Sequence, residues 1–178
     1  QNKKCILTNT NSTLIGDKKL DWCSNIGKPG ESKPWISYSI KGKSMKLRGF
    51  SVRNGCCYYT CCCLDDDQIF DGGDCCCRLY SFSLQGSNNN ETWEILYSVE
   101  KDEKFYPCMF KTFEFESKTP YRYIKFVQEK EYPGCLYCMQ INQIELYGEL
   151  IGSVGFINEY DEENDESVSI IGKIRSNE

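Results

Sequence analysis

The sequence predicts an all-β protein, an antiparallel β-sandwich or jelly roll. Residues 79–84 alternate large apolar with small polar side chains, and residues 91–99 resume the apolar pattern after the turn-forming run at 85–90. About eight short segments of this kind are separated by turn signals, and no segment has the period of an amphipathic helix. Because successive strand residues point to opposite faces, we expect Tyr80, Phe82 and Leu84 to line one buried surface.

The first half of the chain contains three predicted strands before a cysteine-rich stretch. Residues 5–8 form a short apolar run, residues 35–40 alternate, and residues 45–52 alternate again after a Lys/Gly/Ser turn. Between them, residues 23–34 contain glycines and prolines that prevent regular structure. We therefore predict an exposed loop in front of the strand at 35–40.

The second half of the chain supplies the remaining strands and most of the core. After the hairpin at 79–99 we predict strands at 110–115, 121–127 and 140–148, where apolar residues recur between turns. The alternation places seven large side chains in the core: Trp35, Phe50, Phe82, Trp93, Phe113, Ile124 and Leu146.

The excess of negative over positive charge lies in the C-terminal tail of the chain. Residues 1–150 hold 19 basic and 19 acidic side chains, whereas residues 151–178 hold two basic and seven acidic ones, which accounts for the net charge of −5. A neutral body argues against nucleic-acid binding, which usually needs a basic face. The acidic run at 159–166 is expected to be solvated and mobile, while the apolar residues at 167–174 could add a strand to a sheet edge.

The residue types present argue against catalysis and against a membrane span. The chain contains no histidine, which removes Ser-His-Asp and Cys-His catalysis, and it has no phosphate-binding glycine loop. We therefore predict that it is not an enzyme. No apolar run approaches the roughly 20 residues that a spanning helix needs, and the N-terminus lacks the apolar core of a signal peptide.

Five strand motifs, taken in order, resemble the discoidin family, also called the coagulation factor 5/8 type C domain. They are residues 35–40, 47–50, 80–87 with Trp93, 122–126 and 144–148. The likeness covers residues 5–150 and is greatest to cysteine-rich members from single-celled eukaryotes. It implies a galactose-binding-like jelly roll at 1–150 with a cysteine-rich insertion at 54–78, followed by a separate tail at 151–178. The chain departs from the family at its end, where no cysteine is present to pair with Cys5.

The resemblance also implies where a ligand would bind. Members of this family bind ligands through loops at one end of the barrel, which here would be residues 23–34, 54–77 and 129–139. Aromatic and polar side chains within or beside these loops suit a sugar, a peptide or a lipid headgroup, although such aromatics could equally pack against each other. The candidate ligand-binding residues are Trp22, Asn25, Lys28, Arg53, Tyr58, Tyr59, Lys130, Tyr132 and Tyr137.

Eleven of the 13 cysteines fall within these three loops. Three explanations stay open: disulfides in an oxidising compartment, thiolate zinc binding, or reduced thiols that act as small apolar residues. Whichever holds, we predict that a sulfur of Cys135 or Cys138 contacts one from the insertion. The candidates for a disulfide or metal role are Cys56, Cys57, Cys61, Cys62, Cys63, Cys75, Cys76, Cys77, Cys135 and Cys138.

An acidic stretch lies between the cysteine groups of the insertion. Its carboxylates and glycines could coordinate calcium through Asp65, Asp67, Asp71 and Asp74, although the spacing differs from that of an EF-hand. A solvated acidic loop is the alternative interpretation.

The sequence as a whole predicts a non-catalytic recognition module. Our main expectation is a protein-docking domain in a larger intracellular, cytoplasmic assembly such as a cytoskeletal one, because a signal peptide and the family's terminal disulfide are not evident. The first alternative is an extracellular or cell-surface adhesion module that binds glycans, and the second is a thiolate zinc domain. The partner is therefore expected to be a protein or a glycan.

Overall fold

The computed structural model of the chain describes residues 22–24, 26–40, 42–55, 77–152 and 168–171. Within these ranges all regular structure is β-strand, arranged in two antiparallel sheets that pack face to face. This confirms the predicted β-sandwich. None of the described residues belongs to a helix that could span a membrane.

In the described ranges, nine strands build the two sheets. The four-stranded sheet has the order β1-β8-β3-β6 and the five-stranded sheet the order β5-β4-β7-β2-β9. Their bounds are β1 Trp22–Cys23, β2 Trp35–Ile40, β3 Lys43–Asn54, β4 Ser81–Ser87, β5 Glu94–Val99, β6 Phe110–Glu114, β7 Tyr123–Lys130, β8 Gln140–Gly152 and β9 Val168–Ile171.

The strands agree with the alternation of the sequence, although several bounds shift by a few residues and β1 was not predicted. The predicted strand at 5–8 lies outside the described residues, and every other predicted strand is present. β8 continues to Gly152 because β3 pairs with it as far as Lys43↔Gly152. Residues 168–171 of the tail form β9, the added edge strand that the sequence allowed, and pair with β2 from Ser37↔Ile171 to Ile40↔Val168.

Aromatic rings fill the space between the sheets. Phe50 on β3 is fully buried, and its ring centroid lies 5.0 Å from that of Phe113 and 6.0 Å from that of Phe126. Phe82 stacks on Phe126 at 5.1 Å. Of the seven predicted core residues, Phe50, Phe82 and Ile124 are buried, and Phe113 and Leu146 are partly buried against the same cluster.

Trp35 and Trp93 do not belong to the core, which corrects the prediction. Trp35 lies on the face of β2 opposite to the buried Ile36, and Trp93 precedes the first residue of β5. The Lys125 ammonium lies 3.6 Å from the ring centroid of Trp93 and 5.1 Å from that of Trp35. Partial burial beneath these rings lowers the pKa of Lys125. The two tryptophans therefore cover a lysine on the outer face of the five-stranded sheet.

Candidate ligand-binding loops

Four described segments meet at one end of the sandwich, which we call the loop end. They are residues 26–34, 77–80, 100–109 and 131–139, and they converge because β2, β4, β6 and β8 begin there while β3, β5 and β7 end there. Backbone hydrogen bonds hold two of these segments against the strands of the four-stranded sheet: Gln140 N–H on β8 donates to the Cys77 carbonyl (3.1 Å), and Cys108 N–H donates to the Asn54 carbonyl on β3 (3.0 Å). The described parts of the predicted loops at 23–34, 54–77 and 129–139 therefore lie at one end, whereas residues 56–76 lie outside the described residues.

The loop before β2 is held against residues 131–139. Ser24 N–H donates to the Met139 carbonyl at 2.9 Å, and Gly27 N–H donates to the Tyr137 carbonyl at 2.7 Å. A Cβ on Gly27 would lie 2.4 Å from the Ser32 carbonyl oxygen and 3.1 Å from the Tyr137 ring, so only glycine fits this approach. The two loops therefore form one packed unit.

A disulfide ties the end of the insertion to the last loop. Cys77 and Cys138 are bonded, with their Cα atoms 4.7 Å apart. This confirms the prediction that a sulfur of Cys135 or Cys138 contacts one from the insertion. Cys108 is disulfide-bonded as well. The other candidate cysteines of the insertion, Cys56, Cys57, Cys61, Cys62, Cys63, Cys75 and Cys76, lie outside the described residues.

The predicted zinc half-site loses one of its ligands to this bond. A cysteine coordinates zinc as a thiolate, and Cys138 is consumed in the disulfide with Cys77. In the part of the chain that the structure describes, no group of three or more metal-ligating side chains occurs. The calcium candidates Asp65, Asp67, Asp71 and Asp74 lie outside that part.

Two tyrosine rings flank a buried arginine at the loop end. The Arg78 guanidinium lies 4.2 Å from the ring centroid of Tyr132 and 4.9 Å from that of Tyr106. The Tyr80 ring meets Tyr132 edge to face at 5.3 Å. Arg78 is 8% exposed, whereas Tyr106 and Tyr132 are half-buried and so reach solvent. We call these four residues the Arg78 cluster.

Hydrogen bonds from β3 and Arg78 fix the 100–109 segment. Arg78 Nε donates to the Phe105 carbonyl at 3.0 Å, and its Nη2 donates to the Glu103 carbonyl. The buried Asn54 side chain donates to the Phe105 carbonyl at 3.0 Å and to the Tyr106 carbonyl at 3.3 Å. These contacts immobilise the segment that carries Tyr106.

The sequence did not identify this segment as part of the loop end. Its residues show no alternation, and neither Arg78 nor Tyr106 was among the predicted ligand-binding residues. Cys108 is the one signal that pointed to it, because a cysteine between two strands indicates a covalent tie to another part of the chain. Of the Arg78 cluster, the sequence identified Tyr132 alone.

The structure removes two aromatic residues from the candidate ligand-binding set. Trp22 packs into the core and is 8% exposed. Tyr137 is 6% exposed, and its hydroxyl donates to the carbonyls of Gln128 and Glu129, both at 3.0 Å. Burial, with the nearby charges of Glu129 and Glu131, raises the pKa of Tyr137 to about 12. Both rings therefore support the loops from inside rather than facing a ligand.

The remaining candidates differ in their exposure. Arg53 lies 5.1 Å from the Phe110 ring centroid, and its Nη1 donates to the Cys108 carbonyl at 3.2 Å. Lys28 is exposed and forms an ion pair with Glu31 at 3.4 Å, and Lys130 is exposed at the end of β7. Asn25, Tyr58 and Tyr59 lie outside the described residues.

A half-buried carboxylate lies on the outer face of the five-stranded sheet, next to the loop end. Glu129 Oε1 accepts hydrogen bonds from the Ser83 hydroxyl and from Gln85 Nε2 (3.3 Å), and its Oε2 contacts the Lys33 ammonium. Partial burial alone would raise the pKa of Glu129, but the bonds from Lys33, Ser83 and Gln85 outweigh it and lower the pKa below its ordinary value.

The lowered pKa of Glu129 predicts an acid-sensitive contribution to stability. A depressed pKa in the folded state stabilises the protein above the unfolded-state pKa, and this contribution is lost as the pH falls through the folded-state value. We expect the stability advantage of the wild type over Glu129→Gln to be full near pH 6 and to shrink below about pH 4.5. Urea unfolding of both proteins between about pH 3 and 7 tests this, and a pH-independent difference would contradict it.

Comparisons with known proteins identify the fold. No protein-family model matches the chain, and neither does any curated protein. Among solved structures, the F5/8 type C domain of a Bacteroides fragilis protein matches with a TM-score of 0.50 and 14% identity, covering 78% of this chain and 80% of that one.

Two matching structures come from Clostridium perfringens. CBM32-3 of a family 31 glycoside hydrolase has a TM-score of 0.51 and 14% identity over 79% of this chain and 83% of that one. CpGH89CBM32-5, solved in complex with GalNAc-β-1,3-galactose, has a TM-score of 0.50 and 13% identity over 77% and 81%. These similarities confirm the discoidin-like fold that the strand motifs predicted.

Proposed function

We propose that this chain is a non-catalytic glycan-binding module that holds its sugar at the loop end. The observation that carries the proposal is the Arg78 cluster, in which the half-buried rings of Tyr106 and Tyr132 are held in place by a buried guanidinium. A sugar ring presents apolar C–H faces and polar hydroxyls. It therefore suits a site where aromatic faces lie beside a few polar groups.

The side chains of the Arg78 cluster are held in fixed positions, which favours sugar binding. Arg78 is anchored by the carbonyls of Phe105 and Glu103, so the two rings that it separates lose little freedom when a ligand arrives. Lys130 and Glu131 precede Tyr132 directly and supply a cation and a carboxylate for hydrogen bonds to sugar hydroxyls.

The comparisons support the glycan alternative over the protein-docking function that was our main expectation from the sequence. Two of the matching structures are carbohydrate-binding modules, and one of these was solved with a galactose-containing disaccharide. The disulfides at Cys77, Cys138 and Cys108 add a physical argument, because disulfides persist in oxidising compartments. We therefore propose an extracellular or cell-surface location in place of the cytoplasmic one.

A tyrosine truncation tests the proposal. We expect the wild type to bind members of a panel of immobilised glycans that includes GalNAc-β-1,3-galactose. Tyr132→Ala should weaken that binding at least tenfold, or about 1.4 kcal/mol, because an aromatic contact surface is removed. Surface plasmon resonance gives both affinities.

The matched control is Tyr147→Ala, which removes a tyrosine that is 39% exposed on the outer face of the four-stranded sheet. It should bind like the wild type, because Tyr147 lies on β8 away from the loop end. A wild type that binds no glycan of the panel would refute the function. Equal losses for Tyr132→Ala and Tyr147→Ala would refute the location of the site.

A further inference from the structure

A groove of about 400 Å³ crosses the outer face of β4 and β5 next to the loop end. Its floor is formed by three serines, Ser81, Ser83 and Ser98, with Ser83 and Ser98 directly opposite each other in the strand register. Because paired residues of antiparallel strands point to the same face, these small side chains leave a depression between longer neighbours. The groove is thus a consequence of the serines that alternate with apolar residues on β4.

The polar groups of the groove are held in fixed positions. Ser83 donates to the carboxylate of Glu129, and the hydroxyl oxygen of Ser81 accepts the N–H of Lys101 at 3.0 Å. Ile95, which is 59% exposed, adds an apolar wall. Hydroxyls, a carboxylate and an apolar wall within one groove match the mixed surface of a sugar.

The charges at the groove balance. Glu100 and Glu129 stand against Lys101 and Lys130, so the lining has no net charge and gives no preference to an anion or a cation. A neutral ligand rich in hydroxyl groups fits this arrangement better than a phosphorylated or strongly basic one. The volume lies near the lower end of the range for small-molecule sites, roughly 300–1,000 Å³.

Two short stretches of chain connect the groove to the Arg78 cluster. Lys130 of the groove is two residues from Tyr132. Lys101 is followed by Asp102, whose N–H donates to the Tyr80 carbonyl at 2.9 Å, and the Tyr80 ring contacts Tyr132. A ligand bound over the cluster can therefore continue along the side of the sheet without leaving the protein surface.

We infer that the groove is a second sugar subsite, so that the ligand is an oligosaccharide with one residue on the Arg78 cluster and a neighbouring residue in the groove. This inference rests on the proposed function and adds the ligand's length to it. It places specificity for chain length on β4, β5, the end of β7 and the start of the 100–109 segment.

The test compares ligand lengths in solution. The probes are galactose, N-acetylglucosamine and mannose, each as a monosaccharide and as a tetrasaccharide, with affinities measured by titration calorimetry. We expect the wild type to bind one of the tetrasaccharides at least tenfold more tightly than its monosaccharide. Ser98→Trp, which fills the groove from an exposed position on edge strand β5, should bring the tetrasaccharide affinity down to the monosaccharide level.

Two further variants make the result interpretable. Thr112→Trp places the same ring at an exposed position on β6, the edge strand of the other sheet, and should keep the tetrasaccharide preference. Ile95→Trp blocks the groove from a second exposed position and should act like Ser98→Trp, which guards against a folding defect in either one. Equal affinities of the wild type for both lengths, or a preference that survives Ser98→Trp and Ile95→Trp, would overturn the second subsite and leave the proposed function standing. A wild type that binds none of the probes would count against both.

Discussion

Phe50→Ala is expected to lower the free energy of unfolding by about 4 kcal/mol. The Phe50 side chain is fully buried, and its ring contacts those of Tyr97, Phe113, Phe115 and Phe126, which come from both sheets. Truncation would leave a cavity that strands paired on both sides cannot close. Urea unfolding monitored by circular dichroism measures the change.

Trp93→Ala provides the comparison for Phe50→Ala. The sequence predicted a core position for Trp93 and hence a loss of about 3 to 5 kcal/mol. Because its half-buried ring covers the Lys125 ammonium on the outer face, we now expect a loss of about 1–2 kcal/mol. If Trp93→Ala destabilised the protein as much as Phe50→Ala, the assignment of these two rings to different faces would be wrong.

Removal of the Cys77–Cys138 disulfide is expected to cost about 4 kcal/mol of stability. The bond joins residues 61 positions apart, and a loop of this length restricts the unfolded chain strongly. The double variant Cys77→Ala, Cys138→Ala is preferable to serine because both side chains are buried and a hydroxyl there would need a partner. Thermal and urea unfolding under oxidising conditions give the loss.

Treatment of both proteins with a reductant provides the control for the double variant. The wild type should lose more stability on reduction than the double variant does, since the variant no longer has this bond to break. The double variant should also bind glycans more weakly, because Cys77 directly precedes Arg78 and so helps to hold the Arg78 cluster. An unfolding midpoint equal to that of the wild type would contradict the structural role of the bond.

The strands could be predicted from the sequence because a half-buried strand requires apolar and polar residues to alternate. Period-two alternation follows from the pleat of the backbone, and Tyr80, Phe82 and Leu84 are all buried as the pattern requires. The convergence of the cysteine loops was predictable for a similar reason. The two described ends of the insertion, residues 54–55 and 77–80, join β3 and β4, and those strands place both ends at the loop end.

The site itself was much less predictable. Trp22, Trp93 and Tyr137 lie at strand ends or in loops, where alternation does not specify a face, and the structure places each of them differently from the prediction. The Arg78 cluster depends on contacts between residues far apart in the chain, such as Arg78 with Phe105 and Tyr132. A local sequence pattern carries no information about contacts between residues that are far apart in the chain.

The strand order also affects which sheet edge is open to association with another copy of the chain. β9 lies outside β2 and pairs with Ser37–Ile40, so the N–H and C=O groups along this stretch of β2 are not offered to a strand from another copy. Proteins with open edges are prone to join through them into aggregates. β9 is then the outermost strand of this sheet, and because it has four residues, against six in β2, it presents a shorter open edge than β2 would.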